Sequence, residues 1–345
     1  MRYFKDLSSF NNDLLIAELQ SLLASQLAID IADVTKYLFV PLYGGIGDCL
    51  PAAVFASQIH KYHSIAKERI YFLVSRSKAE LIPLMNLDEY RYSILEDSFL
   101  PKLASLTGFG VGRIAYSTKA YIMNGGLEPL MLAHSIPFLD IIKASFKLPL
   151  RLEYQYQLAV NISSAQDELR SKGISFSEEE SNVILFPYSS FGERLPHKSW
   201  QEIAEALIES GFSVYTNTSN KTLTPAIKHS MHKLMLNYEE IPGSLPLSVS
   251  LNALAYLFLH FPCIPVHGQG GIAYFTALLP ARKRFAIYSM PKQFDLMSKL
   301  TSSHKESKLI LPHSQWNSFE LNLPGRFQTY YNTKDEIRSL VNHVR

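Results

Sequence analysis

The sequence predicts an α/β protein made of two tandem Rossmann-like domains. Short, continuous apolar runs such as 37–42 (YLFVPL) and 182–186 (NVILF) carry this reading. Strands of a parallel sheet are covered by helices on both faces and so lose the polar alternation of half-exposed strands. Glycine turns follow two of the runs and lead into helical patterns, the strand–turn–helix–strand unit of a doubly wound sheet. The unit restarts after a polar, acidic stretch at 171–181 (SKGISFSEEES), which is the expected linker. A length of 345 residues suits two domains of about 100–200 residues each. The expected domains are 1–175 and 176–345.

Residues 12–28 carry apolar side chains at helical spacing (Leu14, Leu15, Leu19, Leu22, Leu23, Leu27), a leading amphipathic helix. The run 37–42 is the first strand and ends at Gly44, Gly45 and Gly47; a helix is expected over 51–62 and a second buried strand over 69–74 (RIYFLV). In the second half, 182–186 is a strand, 199–209 a helix that Gly211 ends, and 212–216 (FSVYT) the next strand. An apolar helix over 247–259 follows, then a strand over 262–266, a helix over 270–279 and a strand over 285–289 (FAIYS). The segment 332–344 (NTKDEIRSLVNHV) reads as a last helix with Thr333 or Asn332 as its cap.

Composition removes several classes of function. Hydrophobic residues make up 47% and charged residues 19%, which excludes a disordered chain. Lys plus Arg is 33 against 31 for Asp plus Glu, so no nucleic-acid partner is expected. Cys49 and Cys263 are the only cysteines and stand far apart, which excludes a disulfide scaffold and a four-cysteine zinc site. Residues 1–30 lack the basic and apolar regions of a signal peptide, and the most apolar stretch, 245–266, is broken by Asn252, His260 and three prolines. A reduced, cytoplasmic, soluble protein is expected, and peripheral contact with the inner face of a membrane is compatible with it.

Three segments have the residue types of a functional site. In YGGIGDCL (43–50), glycines at a strand end let backbone N–H groups approach a ligand, and the next helix offers its positive end. Asp48 there reads either as a helix cap or as a carboxylate acting as general base, and Cys49 as packing. In FPYSSFGERLPHKSW (186–200), Ser189, Ser190, Arg194, His197 and Lys198 give one short loop the cations and hydroxyls that a diphosphate needs when no metal neutralises it. In VHGQGGIAYFTALL (266–279), Gly268, Gly270 and Gly271 would open the N–H groups of the following helix turn to an anion, with His267 and Gln269 beside them. No metal signature, no nucleophile elbow, no P-loop and no G-x-G-x-x-G is present, so no metal and no separate cofactor are expected.

Together the three segments resemble the heptosyltransferase-like family of glycosyltransferases, whose architecture, GT-B, is two Rossmann-like domains with an interdomain cleft. YGGIGDCL resembles the family's first strand and glycine–aspartate turn, which implies a catalytic base at Asp48 and an acceptor-side loop at Gly44, Gly45 and Gly47. FPYSSFGERLPHKSWQEIAEAL resembles the opening of the second domain, with its hydroxyl-bearing loop and a lysine ahead of a W-x-x-[ILF]-A-x-x-L helix. This carries onto Ser189, Ser190 and Lys198. The stretch from IPGSL to IAYFTALL resembles the family's donor-binding region, although its usual D-[TS]-G-P-x-H is replaced here by Gly268-Gln269-Gly270-Gly271-Ile272-Ala273.

What the resemblance implies is transfer of a sugar from a nucleotide-diphosphate donor to a glycan, lipid-linked or protein acceptor, as in surface-glycan or lipopolysaccharide synthesis. Inversion at the anomeric carbon, independence of a divalent ion and a last helix that packs back on the first domain belong to the same expectation. A sugar-nucleotide 2-epimerase has the same layout and would act without an acceptor. A non-catalytic binding module of this fold would bind no nucleotide sugar, and a nicotinamide dehydrogenase would need the absent G-x-G-x-x-G.

Overall fold

The computed structural model describes residues 37–42, 45–63, 65–96, 113–114, 138–179, 181–187, 195–218, 241–268, 272–281, 283–288, 328–331 and 333–345. The leading helix expected over 12–28 lies outside them. The chain divides into two compact units, Met1–Tyr156 and Gln157–Arg345.

In the first unit, β1 (Leu38–Leu42), β2 (Ile70–Ser75), β3 (Arg91–Leu95) and β4 (Arg113–Ile114) form a parallel sheet in the order β3-β2-β1-β4. β2 is buried along its whole length and β1 from Phe39 onward, which is why both read as unbroken apolar runs. Pro41 has no N–H for a ladder, and it falls two residues past Phe39, the last described pair with β4. β3 is an edge strand with Tyr92 and Ile94 exposed, so it lacks the apolar signature that marks its neighbours.

The helix expected over 51–62 begins five residues earlier and comes in two pieces, α1 (Ile46–Ala56) and α2 (Ile59–Tyr62). The Cys49 N–H donates to the Gly45 carbonyl at 3.2 Å, so Gly47 and Asp48 lie inside the first turn. Pro51 suggests a helix start because proline favours the first helical position, yet here it sits inside, where it cannot donate to the Gly47 carbonyl. Burial outweighs that loss: Leu50, Ala53, Val54, Phe55 and Ala56 are all completely buried. Two further helices, α3 (Leu81–Leu84) and α4 (Phe138–Ser145), complete the described part of this unit.

The second unit opens with α5 (Ile162–Ser171) and holds a parallel sheet of β5 (Asn182–Phe186), β6 (Ser213–Asn217), β7 (Leu245–Leu247), β8 (Cys263–His267), β9 (Phe285–Tyr288) and β10 (Gln328–Tyr331). Their order is β10-β9-β8-β5-β6-β7. The helices are α6 (His197–Glu209), α7 (Leu251–His260), α8 (Ile272–Thr276) and α9 (Lys334–Val344). β7 ends at Leu247, the first residue of the stretch expected as a helix over 247–259, and carries Pro246, which an edge strand tolerates. α7 then starts at Leu251, with the Ser250 hydroxyl accepting from the Ala253 N–H at 3.1 Å.

The segment 171–181 is knit into this unit. Phe176 stacks on Tyr215 with ring centroids 4.1 Å apart, the Tyr215 hydroxyl donates to the Ser175 carbonyl at 2.7 Å, and Asn182 Nδ2 donates to the Ser177 carbonyl at 2.8 Å. α5 is tied to the start of α7: Glu168 accepts from the Ser250 amide at 3.0 Å and hydroxyl at 2.6 Å, and Asn252 Nδ2 donates to the Asn161 carbonyl at 3.0 Å. Both α5 and α6 end in the same way. Gly173 (φ 63°) and Gly211 (φ 85°) adopt the left-handed conformation, and the N–H groups of Ile174 and Phe212 donate back to Leu169 and Leu207.

α9 is capped by Thr333, whose hydroxyl accepts from the Glu336 N–H at 3.3 Å. Its buried residues Ile337, Leu340, Val341 and Val344 join Trp200, Ile203 and Leu207 of α6 in one core. The apolar face of this last helix is therefore used within the second unit.

Candidate functional site

Strand order places the site of the second unit. From β5 the chain winds outward through β6 to β7, and from β8 it winds the opposite way through β9 to β10, so the order reverses between β5 and β8. Ligands of open parallel sheets bind outside the carboxyl ends of the strands at such a reversal. β5 and β8 run in register from Asn182 opposite Cys263 to Phe186 opposite His267. The ladder gains one more bond beyond the strands, from the Gly268 N–H to the Phe186 carbonyl at 3.0 Å. The Gly268 amide is thus committed to the sheet.

A side chain at Gly268 would crowd its neighbours. A Cβ there would stand 3.0 Å from Trp200 Cζ2 and 3.5 Å from the Phe186 carbonyl oxygen. Trp200 is the fourth residue of α6 and is 2% exposed. Its Nε1 is enclosed and has no hydrogen-bond partner among the described residues. A buried donor left without an acceptor costs about 1–3 kcal/mol. Sequence reasoning places Trp200 in the helix pattern and gives it no role at the strand ends; its contact with Gly268 spans 68 positions of the chain and has no local signal.

His267 closes β8 with no exposed surface. Its Nε2 shares a hydrogen bond of 2.7 Å with the Thr276 hydroxyl of α8, and its ring stacks on Phe186 at 4.5 Å. Burial, and then the nearby Arg284 guanidinium, push its pKa down to about 3, so the ring is neutral. Arg284 is itself buried and caps the end of α8, donating to the carbonyls of Thr276 (3.2 Å), Ala281 (2.9 Å) and Leu279. In this arrangement His267 acts by fixing α8 against β8. Cys263, at the other end of β8, has its thiol pushed up to about 12 by burial, which removes it as a nucleophile.

Lys198 is not in the loop before α6 but in the helix, as its second residue after His197, and it is exposed. Pro196 precedes them, makes no side-chain cap, and no acidic residue stands in the first turn. The Lys198 ammonium thus stands at the positive end of the helix, where a cation is electrostatically unfavourable. In the first unit, Gly45 marks the exit from β1, while Gly47 and Asp48 occupy the second and third positions of α1. Gly44, Ser189, Ser190, Arg194, Gln269, Gly270 and Gly271 lie outside the described residues. Among the described residues no group of His, Cys, Asp and Glu is placed to hold a metal ion, and no helix is long and apolar enough to cross a membrane.

No protein-family model and no curated protein matches the sequence. Solved structures do match the fold. The Escherichia coli ADP-heptose LPS heptosyltransferase II superposes at a TM-score of 0.52 and 16% identity, over 89% of this chain and 97% of that one. The glycosyl transferase family 9 from Veillonella parvula superposes at a TM-score of 0.48 and 11% identity, over 89% and 97%. E. coli heptosyltransferase WaaC with ADP-2-deoxy-2-fluoro heptose gives 0.46 and 12%, again over 89% and 97%. The chain therefore has the fold of heptosyltransferase II, as the resemblance of its three glycine- and lysine-bearing segments implied.

Proposed function

We propose that this protein is a glycosyltransferase that moves a sugar from a nucleotide-diphosphate donor to a glycan or glycoconjugate acceptor, with inversion and without a divalent ion. The observation that carries the reading is the reversal of strand order between β5 and β8, with its glycine exit at Gly268, in a fold shared with an ADP-heptose-using heptosyltransferase. The acceptor oxygen forms a bond to the anomeric carbon while the bond from that carbon to the diphosphate breaks. The nucleoside diphosphate leaves with the electron pair, and Asp48 takes the acceptor's proton. Charge growing on the leaving diphosphate is met by Lys198, Arg194 and the N–H groups at Gly270 and Gly271, with Ser189, Ser190 and Gln269 as neutral donors.

The donor of heptosyltransferase II makes an adenosine diphosphate the first leaving group to try. The test is a panel of ADP-, UDP- and GDP-sugars, each incubated with and without a glycan acceptor and with EDTA present. Release of nucleoside diphosphate only with acceptor, undiminished by EDTA, is the expected result. Isomerisation of a donor alone would make the protein an epimerase, and no release and no binding would end the enzymatic reading.

A further inference from the structure

The buried indole N–H of Trp200 lies at the strand-order reversal and has no acceptor among the described residues. The remainder of the ring is fully used: Trp200 belongs to the core formed by Val183, Leu185, Ile203 and Val266. Phenylalanine would supply that packing without a donor, since an indole nitrogen can only donate. The ring has a definite orientation. Cζ2, two bonds from Nε1, is the atom nearest to a Cβ placed on Gly268, at 3.0 Å, so the ring edge shared by Cζ2 and Nε1 is the one on the Gly268 side. At that end the Phe186 carbonyl already receives the Gly268 N–H. Buried polar groups are satisfied almost everywhere in folded proteins, and each exception calls for a physical reason, a bound water, ion or ligand among them.

We infer that Trp200 is a ligand donor, whose indole N–H hydrogen-bonds to an oxygen of the nucleoside diphosphate bound at the ends of β5 and β8. The inference rests on the proposed function and adds to it a residue that holds the leaving group from beneath. It makes occupancy of the site readable at one proton.

The chain has two tryptophans, Trp200 and Trp316, so the Trp316→Phe variant of the full chain gives a single indole N–H resonance after ¹⁵N labelling. ADP, UDP and GDP are added in turn, with binding followed in parallel by calorimetry. Whichever nucleotide binds is expected to move the Trp200 resonance downfield and slow its exchange with water. Trp200→Phe is expected to weaken that nucleotide about tenfold, the worth of one hydrogen bond to a charged acceptor. A nucleotide that binds while the resonance stays in place overturns the inference and leaves the proposed function standing. So does a folded Trp200→Phe variant with unchanged affinity. If that variant does not fold, the resonance decides alone. If none of the three nucleotides binds, the proposed function fails and the inference with it.

Discussion

After β1 the chain passes Gly45 and enters an eleven-residue helix; after β8 it passes Gly268 and enters a helix of five residues. In the first case Gly47 is drawn into the helix, and residues 49–56 of α1 are all buried. In the second, the strand ladder reaches one residue further to Gly268, Trp200 closes on that residue from α6, and Arg284 ends α8 after Thr276. Similar strand–glycine–helix patterns thus give a helix that carries its acidic residue in the first turn and a strand end whose half-buried glycine lies beside a buried donor. The residues that follow, and the neighbour that packs on the glycine, decide which.

The comparison can be broken first at Asp48. If the first turn of α1 carries the base, Asp48→Asn lowers kcat for sugar transfer by about 10²–10⁴-fold. Turnover near that of the parent chain would leave α1 a packing element only. At the other turn, Gly268→Ala is expected to cost about 1–3 kcal/mol in urea unfolding, since the new methyl crowds Trp200 Cζ2 at 3.0 Å and the enclosed indole must shift. An unchanged midpoint would show that the indole moves freely.

Lys198→Ala sharpens the contrast because its two effects have opposite signs. Affinity for the nucleoside diphosphate falls by about tenfold, the loss of one charge-assisted bond. Stability holds or rises by about 0.3–1 kcal/mol, because a cation leaves the positive end of α6. Loss of stability with intact affinity would assign the lysine to the fold.

The smallest effect lies at the α5–α7 junction. Burial raises the Glu168 pKa, but hydrogen bonds from Lys172 and Ser250 outweigh it and hold the carboxyl below its ordinary 4.5. A depressed pKa means the stabilisation is complete above 4.5 and is lost as pH falls through the lower folded value. Glu168→Gln should therefore narrow the gap to the parent chain on acidification; a gap independent of pH would detach the carboxylate from stability.

The sheet cores were legible because β1, β2 and β5 are buried on both faces, and their bounds follow the apolar runs to within a residue. β7 was hidden by Pro246, which reads as a breaker and is accommodated only because the strand is an edge. α1 starts five residues ahead of Pro51, where the pattern places it, and α6 starts at His197, two residues ahead of the expected Ser199, within a segment rich in prolines and cations. The polar stretch 171–181 reads as a spacer, yet Phe176 on Tyr215 anchors it, a contact that only the folded sheet provides. At the site, the glycine at the end of β8 is visible as a local pattern, whereas Lys198, expected ahead of the helix, is the second residue of α6. The burial of His267 against Thr276 and of Trp200 against Gly268 depends on residues brought together by the β5–β8 pairing.

A nucleoside diphosphate bound as proposed sits at the ends of β5 and β8. Hydrogen–deuterium exchange on the whole chain, with and without a saturating nucleoside diphosphate, tests this placement most directly. Slowed exchange is expected in peptides covering 187–200 and 267–276. Saturation with those peptides unchanged and protection confined to other segments would contradict it.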